Sequence, residues 1–216
     1  MAQVFSRRLV LGLKIGALAA LALTGTAVLA WRILIAPSPS IGAPVAQQVP
    51  FSHRHHVGDV GLDCRFCHAT VETSAHPGMP ATQVCMGCHA HLFAGAPMLA
   101  PVAASLASGK SLAWQRVHDL PEFAYFDHSI HIAKGVGCST CHGAVDRMPL
   151  TWRTQSLEMQ WCLACHRAPE KYIRPREKVF DMEWSGEGRS KAEEAAQLAA
   201  NHVRTAGLTD CSTCHR

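Results

Sequence analysis

All ten cysteines of this chain stand in five copies of one group, Cys-x-x-Cys-His: Cys64/Cys67/His68, Cys85/Cys88/His89, Cys138/Cys141/His142, Cys162/Cys165/His166 and Cys211/Cys214/His215. On a helical turn, positions three apart share a face, so each pair can offer two thiols to one edge of a flat macrocycle while the next residue turns toward its centre. That pattern is the sequence signal for covalent attachment of c-type haem, with the histidine as the proximal iron ligand. With 14 histidines in 216 residues, a His after all five pairs would arise by chance about once in a million. Cys64-x-x-Cys67 and Cys85-x-x-Cys88, seventeen residues apart, would fit a zinc ribbon taken alone. The five histidines have no place in that reading, and the same regularity disfavours a disulfide framework.

Five haems on this chain set the fold class. Without the N-terminal segment about 170 residues remain, roughly 34 per haem, too few to wrap an apolar core around each. The expected architecture is mainly α with extensive loops, a class III cytochrome c-like domain in which stacked haems supply much of the core. Charged residues at 17%, with 16 Gly and 12 Pro, suit such a loop-rich wrapper. The formal charge of +4 counts no cofactor. Haem propionates will lower it, and no basic tract with interleaved aromatics points to nucleic acid.

Ahead of the first group, residues 15–31 carry no charge, and Lys14 and Arg32 flank them. Their length approaches the about 20 residues of a membrane span, with flanking cations able to snorkel. Residues 1–36 are therefore expected to be a retained anchor, with Pro37 as its stop. Arg7, Arg8 and Lys14 put its N-terminus in the cytoplasm. A signal peptide cleaved after Val28-Leu29-Ala30 is the competing reading. Either way the haem domain lies outside the cytoplasm. The expected setting is a single-pass protein of a bacterial inner membrane with its haem domain on the periplasmic side. Residues 37–50, with four prolines, read as a tether.

The haem domain, 51–216, contains a repeat. Phe51-Ser-His53-x-x-His56 followed by two attachment groups is echoed by Phe126-Asp-His128-x-x-His131 followed by two more. This defines modules 51–92 and 126–167, with the fifth group, 211–215, outside them. Between the modules, residues 102–108 read as a helix stopped by Gly109, and 114–118 as extended. Arg167, Lys171, Arg174, Arg176 and Lys178 form a basic cluster, expected to be solvated or to neutralise propionates. Ser190-Lys-Ala-Glu193 is a capping box opening a helix to about residue 204, with His202 on its inner face beside Ala195 and Leu198.

Five irons with proximal His68, His89, His142, His166 and His215 need five more ligands to be six-coordinate. His53 and His56 cannot both take one open face, so they should serve different haems, and His128 and His131 likewise. Nearness in sequence gives His53 to the Cys64 haem and His128 to the Cys138 haem. His118 is preferred for the fifth, with His202, Met148 and Met159 as rivals. His55, His76 and His91 read as outward-facing. Saturated irons bind no substrate, so the chemistry left is outer-sphere electron transfer.

The chain resembles the pentahaem cytochrome c subunit of bacterial alternative complex III. The resemblance is carried by Phe51-Ser-His-Arg-His-His, Leu62-Asp-Cys-Arg-Phe-Cys-His68, Gly135-Val-Gly-Cys-Ser-Thr-Cys-His-Gly143, Gln160-Trp-Cys-Leu-Ala-Cys-His-Arg167 and Cys211-Ser-Thr-Cys-His-Arg216. Its most specific block is Arg116-Val-His-Asp-Leu-Pro joined to the second HxxH. It implies a non-catalytic subunit passing electrons from iron–sulfur centres to a cytochrome or terminal acceptor, without a substrate of its own. Implied partners are an iron–sulfur subunit, polytopic quinol-binding membrane subunits and other cytochrome c subunits. Rival functions are a stand-alone anchored quinol dehydrogenase, a small-molecule reductase, which would want an open iron, and a free periplasmic shuttle.

Overall fold

The computed structural model describes residues 5–34 and 41–215. The outer parts of the expected anchor (1–4, 35 and 36), the Pro37 stop, the first tether residues 37–40, and Arg216 lie outside the described residues. The chain divides into two units at residues 38/39.

The first unit is a single helix, α1 (Arg7–Leu34), with no buried residue. At 1.5 Å per residue its 28 residues extend roughly 42 Å, more than the about 30 Å of a bilayer's hydrocarbon core. It is long and apolar enough to cross a membrane. Its hydroxyls do not break the apolar surface, because Thr24 donates to the Ala20 carbonyl (2.9 Å) and Thr26 to that of Ala22 (3.0 Å).

The second unit contains short helices and loops. Among the described residues there is no strand, only the isolated bridges Ile41 with Arg153, Pro44 with Trp152 and Val136 with Ile173. A first HxxH turn, Arg54–Asp59, is a π-helix. It is followed by α2 (Cys64–Cys67), α3 (Thr82–His89), α4 (Ala100–Ser108), α5 (His128–Ala133), α6 (Cys138–His142), α7 (Met159–Arg167), α8 (Lys191–Ala200) and α9 (Cys211–Cys214). Gly109 ends α4 at φ 66°, the left-handed conformation glycine adopts without strain, and residues 114–118 form neither helix nor strand. The apolar interior is small: Val49, Val71, Val102, Met148, Ile173 and Val179 are the buried hydrophobic side chains among the described residues.

Two stretches depart from the sequence reading. Residues 41–50 do not hang free as a tether: Gly42 donates to the Arg153 carbonyl (2.8 Å) and Val45 to that of Thr151 (3.1 Å). Gln47 also exchanges two 2.8 Å hydrogen bonds with the Gln115 backbone, and Val49 is buried. Prolines deprive a segment of donors, but its remaining amides can still dock on a neighbour. Helix α8 has the expected capping box, yet stops at Ala200. Asn201 is buried there, its Nδ2 donating to the Arg174 carbonyl (3.2 Å). The chain then turns through His202 at φ 50°, so His202 is exposed rather than on an inner helical face.

The two HxxH turns share a local geometry. Phe51 meets the His53 ring edge-on at 4.9 Å and stacks on His56 at 4.4 Å. Phe126 does the same to His128 at 4.8 Å and His131 at 4.3 Å. The first module has one residue more between its HxxH and its first cysteine, seven residues against six. The π-turn takes up that residue, with Val60 N–H reaching back five residues to the His55 carbonyl (3.0 Å).

Candidate haem-attachment groups and their histidines

Each Cys-x-x-Cys pair lies on a helix, which brings its two sulfurs onto one face. Asp63 caps α2, its side chain accepting from the Arg65 backbone N–H. The backbone N–H groups of His68 and His215 close onto the carbonyls of Cys64 and Cys211, both at 2.9 Å, so the histidine leaves the helix at a set angle.

The histidines are held in one tautomer. His68 Nδ1 lies 2.8 Å from the Gly78 carbonyl, His89 Nδ1 3.1 Å from Leu92, His166 Nδ1 2.7 Å from Leu208 and His215 Nδ1 2.9 Å from Phe123. Among the distal candidates, His56 Nδ1 is 2.8 Å from the Ser52 carbonyl, His128 Nδ1 2.8 Å from Ala75 and His131 Nδ1 2.7 Å from Asp127. A carbonyl only accepts, so each Nδ1 carries the proton, and the neutral ring's lone pair is left on Nε2, the orienting arrangement of metal-bound histidines. His53 Nδ1 is 2.9 Å from the Thr151 hydroxyl. Burial foremost, with neighbouring histidines, keeps His142 neutral down to about 3 and His53 to about 4. Burial, then the Arg153 charge, takes His118 to about 4.

Ring separations test whether these groups fit a haem iron. Two imidazoles on opposite faces of one iron have centroids roughly 6 Å apart, for Fe–N bonds of about 2 Å. His56 and His89 are 6.1 Å apart, His131 and His166 6.2 Å, and His128 and His142 6.4 Å with planes at 12°. These three pairs fit. His118 sits edge-on to His142 at 4.3 Å, too close to share an iron with it. Its Nε2 is buried without a hydrogen-bond partner, the condition a ligated metal would relieve. His118, expected as the fifth distal ligand, faces no proximal histidine at an iron-sharing distance among the described ring contacts, and His215 meets Phe123 at 5.9 Å. His55 is more than half exposed and 3.6 Å from Asp59, and His76 and His91 are exposed. Met148 is a packing residue, 1% exposed, whereas Met159 is 60% exposed.

The thiols reveal which groups are neighbours. Cys64 and Cys138 hydrogen-bond to each other, which pulls Cys64 down to about 7 and pushes Cys138 up. Burial raises Cys67, with Cys85 the next largest contribution, and burial raises Cys141 to about 12, with Cys165 and Cys162 adding to it. Burial also raises Cys162, with a contribution from Cys214. The succession in space is therefore Cys85, Cys64, Cys138, Cys162 and Cys211 groups, not the order along the chain. Backbone contacts agree at the far end, where His166 bonds to Leu208 and Tyr125 N–H to the Cys214 carbonyl (2.8 Å). Among the described residues no three His, Cys, Asp or Glu side chains gather as around a bare metal ion.

One residue of the basic cluster, expected to be solvated or to neutralise propionates, is buried. Arg174 is 3% exposed and lies on the Cys138 group. Alternating charges around it hid this, although the glycine at 137 marked a place where something approaches the backbone closely.

Residues 124–216 match the family of cytochrome c7 and related cytochrome c. This is the stretch that carries the second module and the fifth group. The chain is also 32% identical over 121 residues to the multihaem cytochrome c subunit of menaquinone reductase from Nitratidesulfovibrio vulgaris. That match covers 56% of this chain and 51% of the relative, so the chain spans about half the length of the curated relative it matches. Cytochromes of this family hold c-type haem covalently, and the donors described above suit that group. The second unit is thus a mainly helical multihaem cytochrome c domain, in a chain with one candidate membrane-spanning helix near its N-terminus.

Proposed function

We propose that this chain is the electron-transfer subunit of a membrane-bound quinol-oxidising complex of the alternative complex III kind, carrying five covalently bound haems. Cys64, Cys67, Cys85, Cys88, Cys138, Cys141, Cys162, Cys165, Cys211 and Cys214 form the thioethers. The proximal ligands are His68, His89, His142, His166 and His215. His56, His131 and His128 would help hold the haems of His89, His166 and His142, which they face, and His53 that of His68. His118, whose Nε2 is buried without a hydrogen-bond partner, is the tenth proposed iron ligand. The observation that carries the proposal is the set of three histidine pairs at 6.1–6.4 Å, which leaves those irons without a free face for a substrate.

Each bound haem exchanges one electron as its iron passes between ferric and ferrous states. The chain's own part is to keep the buried His142, His53 and His118 neutral, to fix seven of the rings through Nδ1–H and to set the groups beside one another from Cys85 to Cys211. Iron–sulfur, polytopic quinol-binding and cytochrome subunits are the proposed partners, quinol oxidation being their chemistry. Residues 1–36 are the proposed anchor, 37–50 the connecting segment, and 51–216 the haem domain on the periplasmic side of the inner membrane.

The relative's name supports a second reading, in which the chain serves a menaquinone-reducing complex and electrons run the other way. Gentle detergent extraction of native membranes, native electrophoresis with haem staining and mass analysis of the co-migrating chains tests both. A large assembly with iron–sulfur and polytopic subunits is expected, with an intact mass giving five haems on this chain. A chain that migrates alone and is reduced by added quinol overturns the proposal. Oxidation of the chain by menaquinone within the assembly selects the second reading.

A further inference from the structure

Arg174 is the only charged side chain among the described residues that is buried. Its guanidinium lies on the peptide between two haem-attaching cysteines: Nη2 donates to the hydroxyls of Ser139 (3.0 Å) and Thr140 (3.3 Å). Nη1 donates to the backbone carbonyls of Asp181 (2.9 Å) and Lys178 (3.4 Å), while Nε is buried without a partner. The Trp184 ring stacks on it at 4.5 Å, with Arg189 on the same ring at 5.1 Å. Gly137 permits the approach, since a Cβ there would fall on the guanidinium. No carboxylate pairs with it among the described residues, because the Asp181 side chain goes to Lys178 at 3.1 Å.

An unpaired cation in the interior is expensive, and neutral acceptors with an aromatic face compensate it only in part. In haem c the propionates project from the porphyrin edge away from the thioethers, so the carboxylates of the same haem are not there to neutralise it. A fixed positive charge in a low-dielectric surrounding penalises the ferric state, which carries one more positive charge than the ferrous. We infer that Arg174 is a positioning residue that raises the reduction potential of the haem attached at Cys138 and Cys141, making it the favoured electron-holding site at the middle of the path. The fifth group has the same Cys-Ser-Thr-Cys-His sequence, but Thr213 there donates to the Gly207 carbonyl (2.8 Å) instead of accepting from a cation.

The inference rests on haem being bound at Cys138. The holo-protein of wild type, Arg174→Gln, Arg174→Lys and Ser139→Asp is first assayed for haem number by intact mass. A wild-type count below five with Cys138 unmodified overturns the reading of the site rather than the role of Arg174. Redox potentiometry followed by optical and EPR spectra then reads the midpoints. In Arg174→Gln one midpoint is expected to fall while the others stay, and in Arg174→Lys that midpoint stays close to wild type. Ser139→Asp, which supplies the missing carboxylate and leaves Arg174 in place, should lower the same midpoint. It decides the matter if Arg174→Gln does not retain its haems. Unchanged midpoints in Ser139→Asp and Arg174→Gln, or an equal fall in Arg174→Lys and Arg174→Gln, would show a packing role only and overturn the inference.

Discussion

A histidine becomes a dependable iron ligand when its other nitrogen is already committed, and seven of the ten candidate ligands commit Nδ1 to a main-chain carbonyl. The Ser52 and Asp127 carbonyls lie within the two HxxH motifs, but the others, such as those of Gly78, Leu208 and Phe123, come from loops and turns that no motif describes, so most of this layer was not legible in the sequence. His131→Ala is expected to convert one haem, about a fifth of the low-spin signal, to a high-spin, ligand-accessible form in optical and EPR spectra. His56→Ala should convert a different one. The double variant should convert two, and a single converted haem in it would refute the pairing. His131→Met should instead keep the low-spin state and raise one midpoint. His118→Ala is expected to remove one low-spin haem, as loss of a ligand would. An unchanged spectrum returns His118 to the packing of the His142 ring.

At the scale of elements, the two HxxH turns show how one inserted residue is absorbed. The second module forms a regular turn, α5, whose Asp127 cap accepts from the Ser129 and Ile130 amides. The first widens to a π-turn, and its Gly58 lies so close to the next stretch that a Cβ would sit 2.5 Å from the Asp146 carbonyl oxygen. Gly58→Ala should therefore push the turn from its neighbour, costing about 1–3 kcal/mol by analogy with overpacking and disturbing the iron partner of His56. A thermal melt together with the low-spin signal reads both effects. Helix α8 invites a simpler test: Ser190→Ala removes the cap that accepts from Glu193 N–H at 3.3 Å. It should cost about 1 kcal/mol, seen as a lower melting temperature with haem spectra unchanged. The capping box and the Gly109 stop were legible because caps are local chemistry. The end of α8 was not, since the buried amide of Asn201 bonds to Arg174, 27 residues away.

For the whole molecule, six buried apolar side chains among the described residues are a small interior for a domain of this length. The holo-protein is expected to melt cooperatively, and the same chain expressed without haem attachment to show no cooperative transition by circular dichroism. A sharp melt of the haem-free chain would contradict the view that the cofactors form the core. Spacing and composition alone determined the five Cys-x-x-Cys-His groups, the mainly helical class and the apolar N-terminal segment, because covalent geometry and a 3.6-residue period act within a few positions. The match to cytochrome c7 and related cytochrome c over residues 124–216 agrees with that fold class. Which histidine faces which, the spatial succession of the groups, the docking of residues 41–50 and the burial of Arg174 were decided only by tertiary structure. They depend on contacts between segments far apart in the chain, whose closure no local pattern records.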